Sequence, residues 1–492
     1  MTPTTIVVVV VLGAVALGVH LLDRHLREGG GAKQRRVQGA RWASSRDLRA
    51  LHVKGAEQGR LILGRQGRRL VAAEDRASVV VVGPSTVSLK TTGLAIPSLL
   101  EWDGPVVATS VKSDLLLTTL RRRRELGRTM VFDPTGVTGI ESVKATPLSG
   151  CGSWRGAMLV AHRLASSARS GSSAGLEDGD FWFSAAEKLL SPLLFAAAAS
   201  GGQIADVIRW LNDGAEAEPE VTERLTAAAE SRDALSAWNA NWNREERQRS
   251  SIYTTAETIM GAFADPRVLD ASSAAQYTPA ALLDGRANSL FLCASDYEQE
   301  RLGSLFAAMI SELVAVVSDF SAETGRPIDP PLLIVLDEAA NVAPVPELDG
   351  IASTGAGKGI QLVTVFQDLA QVEVRYGKRA QTIVNNHRAK VFASGIGDPS
   401  TLDYISRVVG DGEFRQRSET AGDQGRGSST EANTYRALAP ANVVRGAQPG
   451  TALLVYGHLP PARLSLRPWF ADRELRALAE GDEPAPQVPG ML

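Results

Sequence analysis

Two stretches decide the fold and are read together: Val79-Val-Val-Val82-Gly83-Pro84-Ser-Thr-Val-Ser88-Leu89-Lys90-Thr91-Thr92-Gly93, and Leu332-Leu-Ile-Val-Leu-Asp337-Glu338. Each opens on an apolar run of strand length, and each run ends on residues suited to a nucleotide. A phosphate loop needs glycines, because backbone N–H groups close around phosphate oxygens only where no Cβ intervenes. Its lysine neutralises the outer phosphates, and the next hydroxyl holds Mg2+. Lys90-Thr91 supply both, and Gly83, Pro84, Ser88, Leu89 and Thr92 complete the candidate ATP-binding set. The spacing departs from the usual one, in which four residues separate two glycines and lysine follows the second. Gly83 stands one residue too far from Lys90, and Leu89 occupies the place of the second glycine. If that residue takes a left-handed backbone, leucine costs about 1 kcal/mol or more and could obstruct the phosphate cradle. An ordinary strand-to-helix turn is the alternative reading of this stretch alone.

Asp337, at the end of an apolar strand, suits the shell of a magnesium ion, and Glu338 beside it suits polarising a water for in-line attack. Two acids opening a surface helix after Ala339 would be the alternative, which leaves the apolar run before them unexplained. Gln367 ends the next apolar run, Gln361–Phe366, where it could orient water or sense a γ-phosphate. A satisfied polar residue at a strand end is the plainer reading of it. Gly355-Ala-Gly-Lys358 imitates a phosphate loop but lacks a preceding strand and a following hydroxyl. It reads as a glycine-rich turn between helix and strand, with Lys358 free to face a pore or a neighbouring subunit. Arg121-Arg122-Arg123-Arg124 lies on an expected helix, either as a solvated basic face or as a contact for nucleic acid or an acidic partner. Arg388, just before another strand, is a candidate to complete a neighbour's ATP site.

The chain of 492 residues is long enough for two or three domains, and its 44% hydrophobic and 22% charged content is that of a folded protein. A net charge of -3 excludes a uniformly basic surface but leaves room for a local basic channel. Cys151 and Cys293 are the two cysteines, which points to reduced thiols; with six histidines, no metal cluster emerges. Thr5–Leu22 is uncharged, and its eighteen residues at about 1.5 Å each span roughly the hydrocarbon thickness. Arg24, Arg27, Lys33, Arg35, Arg36 and Arg41 follow it and no Lys or Arg precedes it. The positive-inside rule then sets the N-terminus outside and the main domains in the cytoplasm, on a single-pass membrane anchor. A secretory signal peptide and a buried strand are the rivals.

Along the chain, the expected order is a transmembrane anchor at 1–28, then a juxtamembrane connector and β-rich lead-in at 29–77. Two nucleotide-binding segments, 78–153 and 272–475, are split by an alanine- and leucine-rich all-alpha insertion at 154–271. A helix starting near Lys90 is expected to kink or stop at Pro97. Asp411–Thr434, rich in Gly, Ser and charge, reads as a surface loop, and 476–492 as a flexible tail.

This order of elements resembles the TraG/TraD-like coupling ATPases of conjugative type IV secretion, especially actinobacterial members. The likeness covers roughly residues 39–475. It is carried by Gly39-Ala-Arg-Trp42, Lys90-Thr-Thr-Gly-Leu-Ala-Ile-Pro97, Val106–Asp114, Val131-Phe-Asp133-Pro134, Leu336-Asp-Glu338 and Thr364-Val-Phe-Gln367-Asp-Leu-Ala-Gln371. The resemblance implies an α/β fold: a RecA-like P-loop NTPase domain with an inserted all-alpha domain and an N-terminal transmembrane helix. It implies a membrane-anchored homo-hexamer that uses ATP and Mg2+ to deliver a relaxase–single-stranded DNA complex, or a secreted protein, to the components of a secretion channel. Lys90 would engage phosphate, Thr91 and Asp337 would hold magnesium, Glu338 would activate water, and Gln367 would report the γ-phosphate. A catalytically weak membrane scaffold for nucleoprotein and a chromosomal DNA translocase are the competing functions.

Overall fold

The computed structural model describes residues 39–84, 88–111, 113–171, 179–420 and 428–481. They divide into two compact units: residues up to Arg41 with Gly410–Leu438, and Trp42–Val409 with the chain from Ala439 onward. The larger unit holds β1 (His52–Val53), β2 (Ile62–Gln66), β3 (Arg69–Ala72), β4 (Val79–Val82), β5 (Val106–Ser110), β6 (Thr129–Phe132) and β7 (Ser289–Cys293). It continues with β8 (Leu332–Leu336), β9 (Ile360–Phe366) and β10 (Ala389–Ala393). The smaller unit contributes β11 (Asp411–Thr420) and β12 (Ser428–Ala437), and the larger closes with β13 (Thr451–Tyr456) and β14 (Ala462–Ser465).

One sheet runs β1-β3-β2-β14-β13-β10-β4-β9-β8-β5-β7-β6. From β10 to β6 every pairing is parallel. The strands from β13 outward to β1 extend it antiparallel. Strands covered on both faces favour near-continuous apolar runs: β4 is four valines, and β5, β7, β8 and β9 are buried at every position, their few polar side chains, such as Thr109, Gln361 and Thr364, being hydrogen-bonded. Because these strands are parallel, their C-terminal ends share one edge of the sheet, the usual place for a ligand in such folds.

Between β6 and β7 the chain leaves the sheet. From Trp154 to Ala271 its described residues form helices and no strand. Helix Ile204–Asp213 shows how this segment folds: Gln203 and Asp206 close a capping box, and Ile204, Val207, Trp210 and Leu211 bury one face. Both cysteines are buried free thiols.

The fold class differs from the sequence expectation at its membrane anchor. The expected span Thr5–Leu22 lies outside the described residues. Among the described residues, one helix is long and apolar enough to cross a membrane, and it is Gln299–Thr324, in mid-chain. Leu302, Phe306, Ile310, Leu313 and Val317 of that helix are buried in the protein, so its apolar surface is accounted for by the core.

Other local expectations are corrected. Asp411–Thr434 is not a loop: β11 and β12 form a ten-residue antiparallel ladder from Asp411↔Ala437 to Thr420↔Ser428. Gly355–Lys358 is not a turn but the last turn of helix Leu348–Lys358, which ends at Gly359 in a left-handed conformation. No helix follows Ala339; the chain turns, with Asn341 and Val342 N–H both donating to Glu338 O. The first residues of the expected tail belong to helix Arg473–Glu480, capped by the Asp472 carboxylate.

Pro97 does not stop its helix. Thr91–Ala95 forms a π-helical turn that passes into the α-helix Ile96–Glu101, with Pro97 in the first turn. Proline has no N–H, so the carbonyls of Thr92 and Gly93 lack a donor within the helix. The C-terminal segment supplies one to each: Trp469 N–H donates to Thr92 O at 3.0 Å and Arg467 N–H to Gly93 O at 3.3 Å. The buried Arg467 guanidinium then holds Glu101 at 2.9 Å and Asp472 at 3.0 Å.

Candidate functional site

β9 lies between β4 and β8, so the sheet brings the ends of the two decisive stretches to either side of Gln367. Thr91 Oγ1 donates to Asp337 Oδ2 at 3.0 Å, and Lys90 Nζ lies 3.8 Å from Glu338 Oε1. Gln367 Nε2 donates to both Glu338 oxygens at 3.3 and 3.1 Å. These residues line an open cleft of about 480 Å³, together with Leu89, Thr92, Asp114, Asp296, Gln299 and Asn341.

Among the described residues, three buried polar atoms there have no hydrogen-bond partner. Lys90 is 3% exposed, yet its Nζ makes no hydrogen bond; Thr92 Oγ1 and Asp337 Oδ1 are likewise buried and unpaired. Such atoms cost folding free energy unless something else satisfies them. An ammonium, two hydroxyls and a carboxylate in that order fit a magnesium-bound polyphosphate. Burial pushes the Asp337 carboxyl up to about 6, against the pull of Lys90 and Thr91; Glu338 and Asp114 add to the rise.

Two non-glycine residues on this cleft have left-handed backbones: Leu89 at φ 54° and Glu338 at φ 55°. Each costs about 1–2 kcal/mol relative to an ordinary conformation. Leu89 therefore adopts the geometry that glycine would supply. Its side chain packs against the core, and Cδ1 lies 3.5 Å from where a Cβ on Gly450 would be. Leu89→Gly is therefore expected to change nucleotide affinity by less than about tenfold, because the backbone is already in place. It should lower stability by about 1 kcal/mol, since relief of strain is outweighed by lost packing and by glycine's chain entropy. Calorimetric nucleotide titration and urea unfolding measure the two effects; loss of nucleotide binding would assign the leucine side chain a direct part in the site.

Gly83 answers to close packing, since a Cβ there would sit 2.9 Å from both Ala393 Cβ and Ser88 Cβ. Gly83 N–H donates to Phe366 O at 3.1 Å, and Ser88 Oγ donates back to Pro84 O. Residues 85–87 lie outside the described set.

The four arginines do not act together. Arg121 bonds the carbonyls of Ala477, Leu478 and Ala479 at the C-terminal end of their helix, where a cation is favoured. Arg122 approaches Glu125 at 3.6 Å. Arg123 is fully buried and unavailable to nucleic acid: it donates to Ser289 Oγ and to the carbonyls of Trp102, Gly104 and Ala287. Arg124 is exposed. Arg388 is not brought to its own subunit's cleft. It enters β10 at the opposite sheet edge, 3.1 Å from Glu74 and over the Tyr456 ring. Lys358 donates to Ser318 Oγ at 3.0 Å, away from the cleft.

Sequence reading missed Asn341, whose Nδ2 donates to Glu338 Oε2 at 3.3 Å, and the cleft residues Asp296 and Gln299. Asp296 had a readable signal: it follows β7 closely, on the same sheet edge as Asp337.

A family profile described as Type IV secretory system Conjugative DNA transfer matches residues 32–485. The conjugal transfer protein TraG of Rhizobium radiobacter is 25% identical over 417 residues, 81% of this chain and 63% of its own length. Protein VirD4 of Agrobacterium fabrum is 22% identical over 480 residues, 90% of this chain and 67% of its own. The chain thus spans less than two thirds of the length of that TraG protein. Among solved structures, the unbound bacterial conjugative coupling protein TrwBdeltaN70 matches with a TM-score of 0.67 at 16% identity, over 88% of this chain and 93% of that one. Plasmid coupling protein TrwB in complex with ADP and Mg2+ matches at 0.65 and 16%, over 88% and 94%. The likeness gives a RecA-like P-loop fold with an inserted all-alpha domain. By the extent of the profile match, the chain belongs to the type IV secretory system conjugative DNA transfer family.

Proposed function

We propose that this chain is an ATP-hydrolysing coupling protein. It would bring a relaxase–single-stranded DNA complex or a protein substrate to a type IV secretion channel at the membrane and drive its transfer, working as a ring of six copies. The observation that carries this reading is the buried Lys90 Nζ, which makes no hydrogen bond and only a long ion pair to Glu338, set between the Thr91–Asp337 pair and the Glu338–Gln367 pair in one cleft. The solved TrwB complexes with ADP and Mg2+ and with an ATP analogue support the same cofactors. The relatives named above come from Rhizobium and Agrobacterium and add nothing for the narrower actinobacterial likeness.

In this reading Lys90 neutralises phosphate oxygens, and Thr91 and Asp337 hold magnesium. When bound, the metal would screen charge on the transferring phosphoryl group. Glu338, held by Gln367 and Asn341, accepts the proton of an attacking water, and Gln367 senses what the carboxylate is doing through its two hydrogen bonds. Arg388 would act only on a neighbouring copy, and of the basic run Arg124 is left for a nucleic-acid contact. Segments 78–153 and 272–475 form the motor, and 154–271 receives substrate.

Leu89 and its loop spacing favour one second reading, a nucleotide-binding scaffold with weak hydrolysis. Single-stranded-DNA-stimulated ATP hydrolysis separates the two. Glu338→Gln is expected to keep nucleotide binding within about threefold and to lose at least about a hundredfold in hydrolysis. A wild-type protein that binds ATP without hydrolysing it supports the scaffold, and one that binds no nucleotide ends the motor reading and leaves a nucleotide-free scaffold.

A further inference from the structure

One helical turn touches both the cleft and the helical insertion. At the start of helix Gln299–Thr324, Asp296 and Gln299 line the cleft, tied by Gln299 Nε2 donating to Asp296 Oδ1 at 3.1 Å. A turn further on, Gly303 packs against the chain that follows Glu338: a Cβ there would come within 3.0 Å of Asn341 O and 3.3 Å of Pro344 Cδ. Asn341 itself holds Glu338.

The other side of the same turn is bound to the insertion. Arg301 Nε donates to Glu298 Oε2 at 2.6 Å, Nη2 to Asp265 Oδ2 at 2.9 Å and Nη1 to Ala262 O at 3.2 Å. Arg267 Nη2 adds bonds to Asp265 Oδ2 at 2.9 Å and Glu298 Oε1 at 3.5 Å. The Asp265 and Glu298 side chains are 15% and 20% exposed and Arg301 is half-buried, while Arg267 is exposed, so the network is shielded on its carboxylate side and open to solvent at Arg267.

We propose that the turn Asp296–Gly303 transmits the state of the cleft to the helical insertion through the Glu298–Arg301–Asp265 network, with Arg301 as its positioning residue. The proposal rests on the reading of the cleft as a nucleotide site. An anionic ligand there shares space with the Asp296 carboxylate, and any shift of the Asp296–Gln299 pair moves the helix start. Glu298 N–H donates to Ser295 O and Leu302 N–H to Glu298 O, tying the turn to the helix start, so Glu298 and Arg301 move with it and carry Asp265. Coupling of this kind is reciprocal: what binds the insertion alters nucleotide affinity by the same factor.

Hydrogen exchange over residues 246–271, with Mg-ADP and with a non-hydrolysable ATP analogue, tests it. In the wild type the two nucleotides should protect this segment differently. In Arg301→Gln that difference should vanish, nucleotide affinity should stay within about threefold, and DNA stimulation of hydrolysis should fall by about tenfold, within the usual range of coupling between sites. Arg301→Lys, which keeps the charge but not the fork, should recover part of the difference. If Arg301→Gln fails to fold, Asp265→Asn carries the same test, because asparagine can keep the cap on Arg267 N–H. An unchanged difference in a folded variant overturns the proposal. So does equal protection by both nucleotides in a wild type that binds them, whereas a wild type that binds neither overturns the nucleotide reading itself.

Discussion

Alanine at Lys90 is expected to weaken nucleotide binding by about 10²–10³-fold and to leave hydrolysis at background. Of the described residues lining the cleft, Lys90 alone is cationic, against the carboxylates of Asp114, Asp296, Asp337 and Glu338. A charge pair at about 4 Å in a partly shielded site is worth about 4 kcal/mol, which sets the scale of the loss. The acids would then repel a polyphosphate with nothing to offset them. Stability should fall less than nucleotide affinity, because the buried ammonium has no hydrogen bond in the ligand-free protein and its contact with Glu338 is long, at 3.8 Å. Fluorescent-nucleotide titration alongside thermal melting checks both parts. Wild-type affinity in Lys90→Ala would take the lysine out of the phosphate site and restore the plain turn as the reading of the first stretch.

The largest expected loss of stability lies on the other edge of the sheet. Arg123→Ala should cost about 3–5 kcal/mol, while Arg124→Ala, one residue on and exposed, should stay within about 0.5 kcal/mol. Burial pulls the Arg123 guanidinium down to about 10, with Arg122 adding to the effect. Four oxygens hold it: those of Ser289, Trp102, Gly104 and Ala287. Truncation leaves these acceptors buried without donors, and each orphan costs about 1–3 kcal/mol before any relaxation. Lysine cannot replace the planar fork, so Arg123→Lys should recover less than half of the loss. Urea unfolding midpoints measure the series; an alanine variant as stable as wild type would mean that water reaches those oxygens.

What the sequence made legible follows from how strongly each residue is constrained. Asp337-Glu338 stood out because a strand covered on both faces admits no charge until it ends. The spacing around Lys90 located Leu89 as the misfit and raised a left-handed backbone there as a condition, which the structure meets; the direction of its side chain toward Gly450 was not legible. The arginine run was opaque because composition does not say which way a helix faces. A signal existed nonetheless: Leu116, Thr119 and Arg123 recur at helical spacing and are all buried. The hairpin of β11 and β12 was missed because its strands are polar, so the alternation that marks a half-buried strand is absent. Arg388 and Lys358 were singled out by their place beside strands and glycines, and only the sheet order shows that neither reaches this subunit's cleft.

The strap from Arg467 to Trp469 has a consequence for biosynthesis. Thr92 and Gly93, which follow Thr91, depend for their carbonyl partners on residues made more than three hundred and seventy positions later. On either side, β4 is paired with β9 and β10, also late in the chain. A ribosome releases the amino-terminal half first. The nascent turn after Lys90 therefore waits, its two open carbonyls hydrated, until the segment Arg467–Trp469 has emerged. The turn is synthesised well before the strands and the strap that complete it.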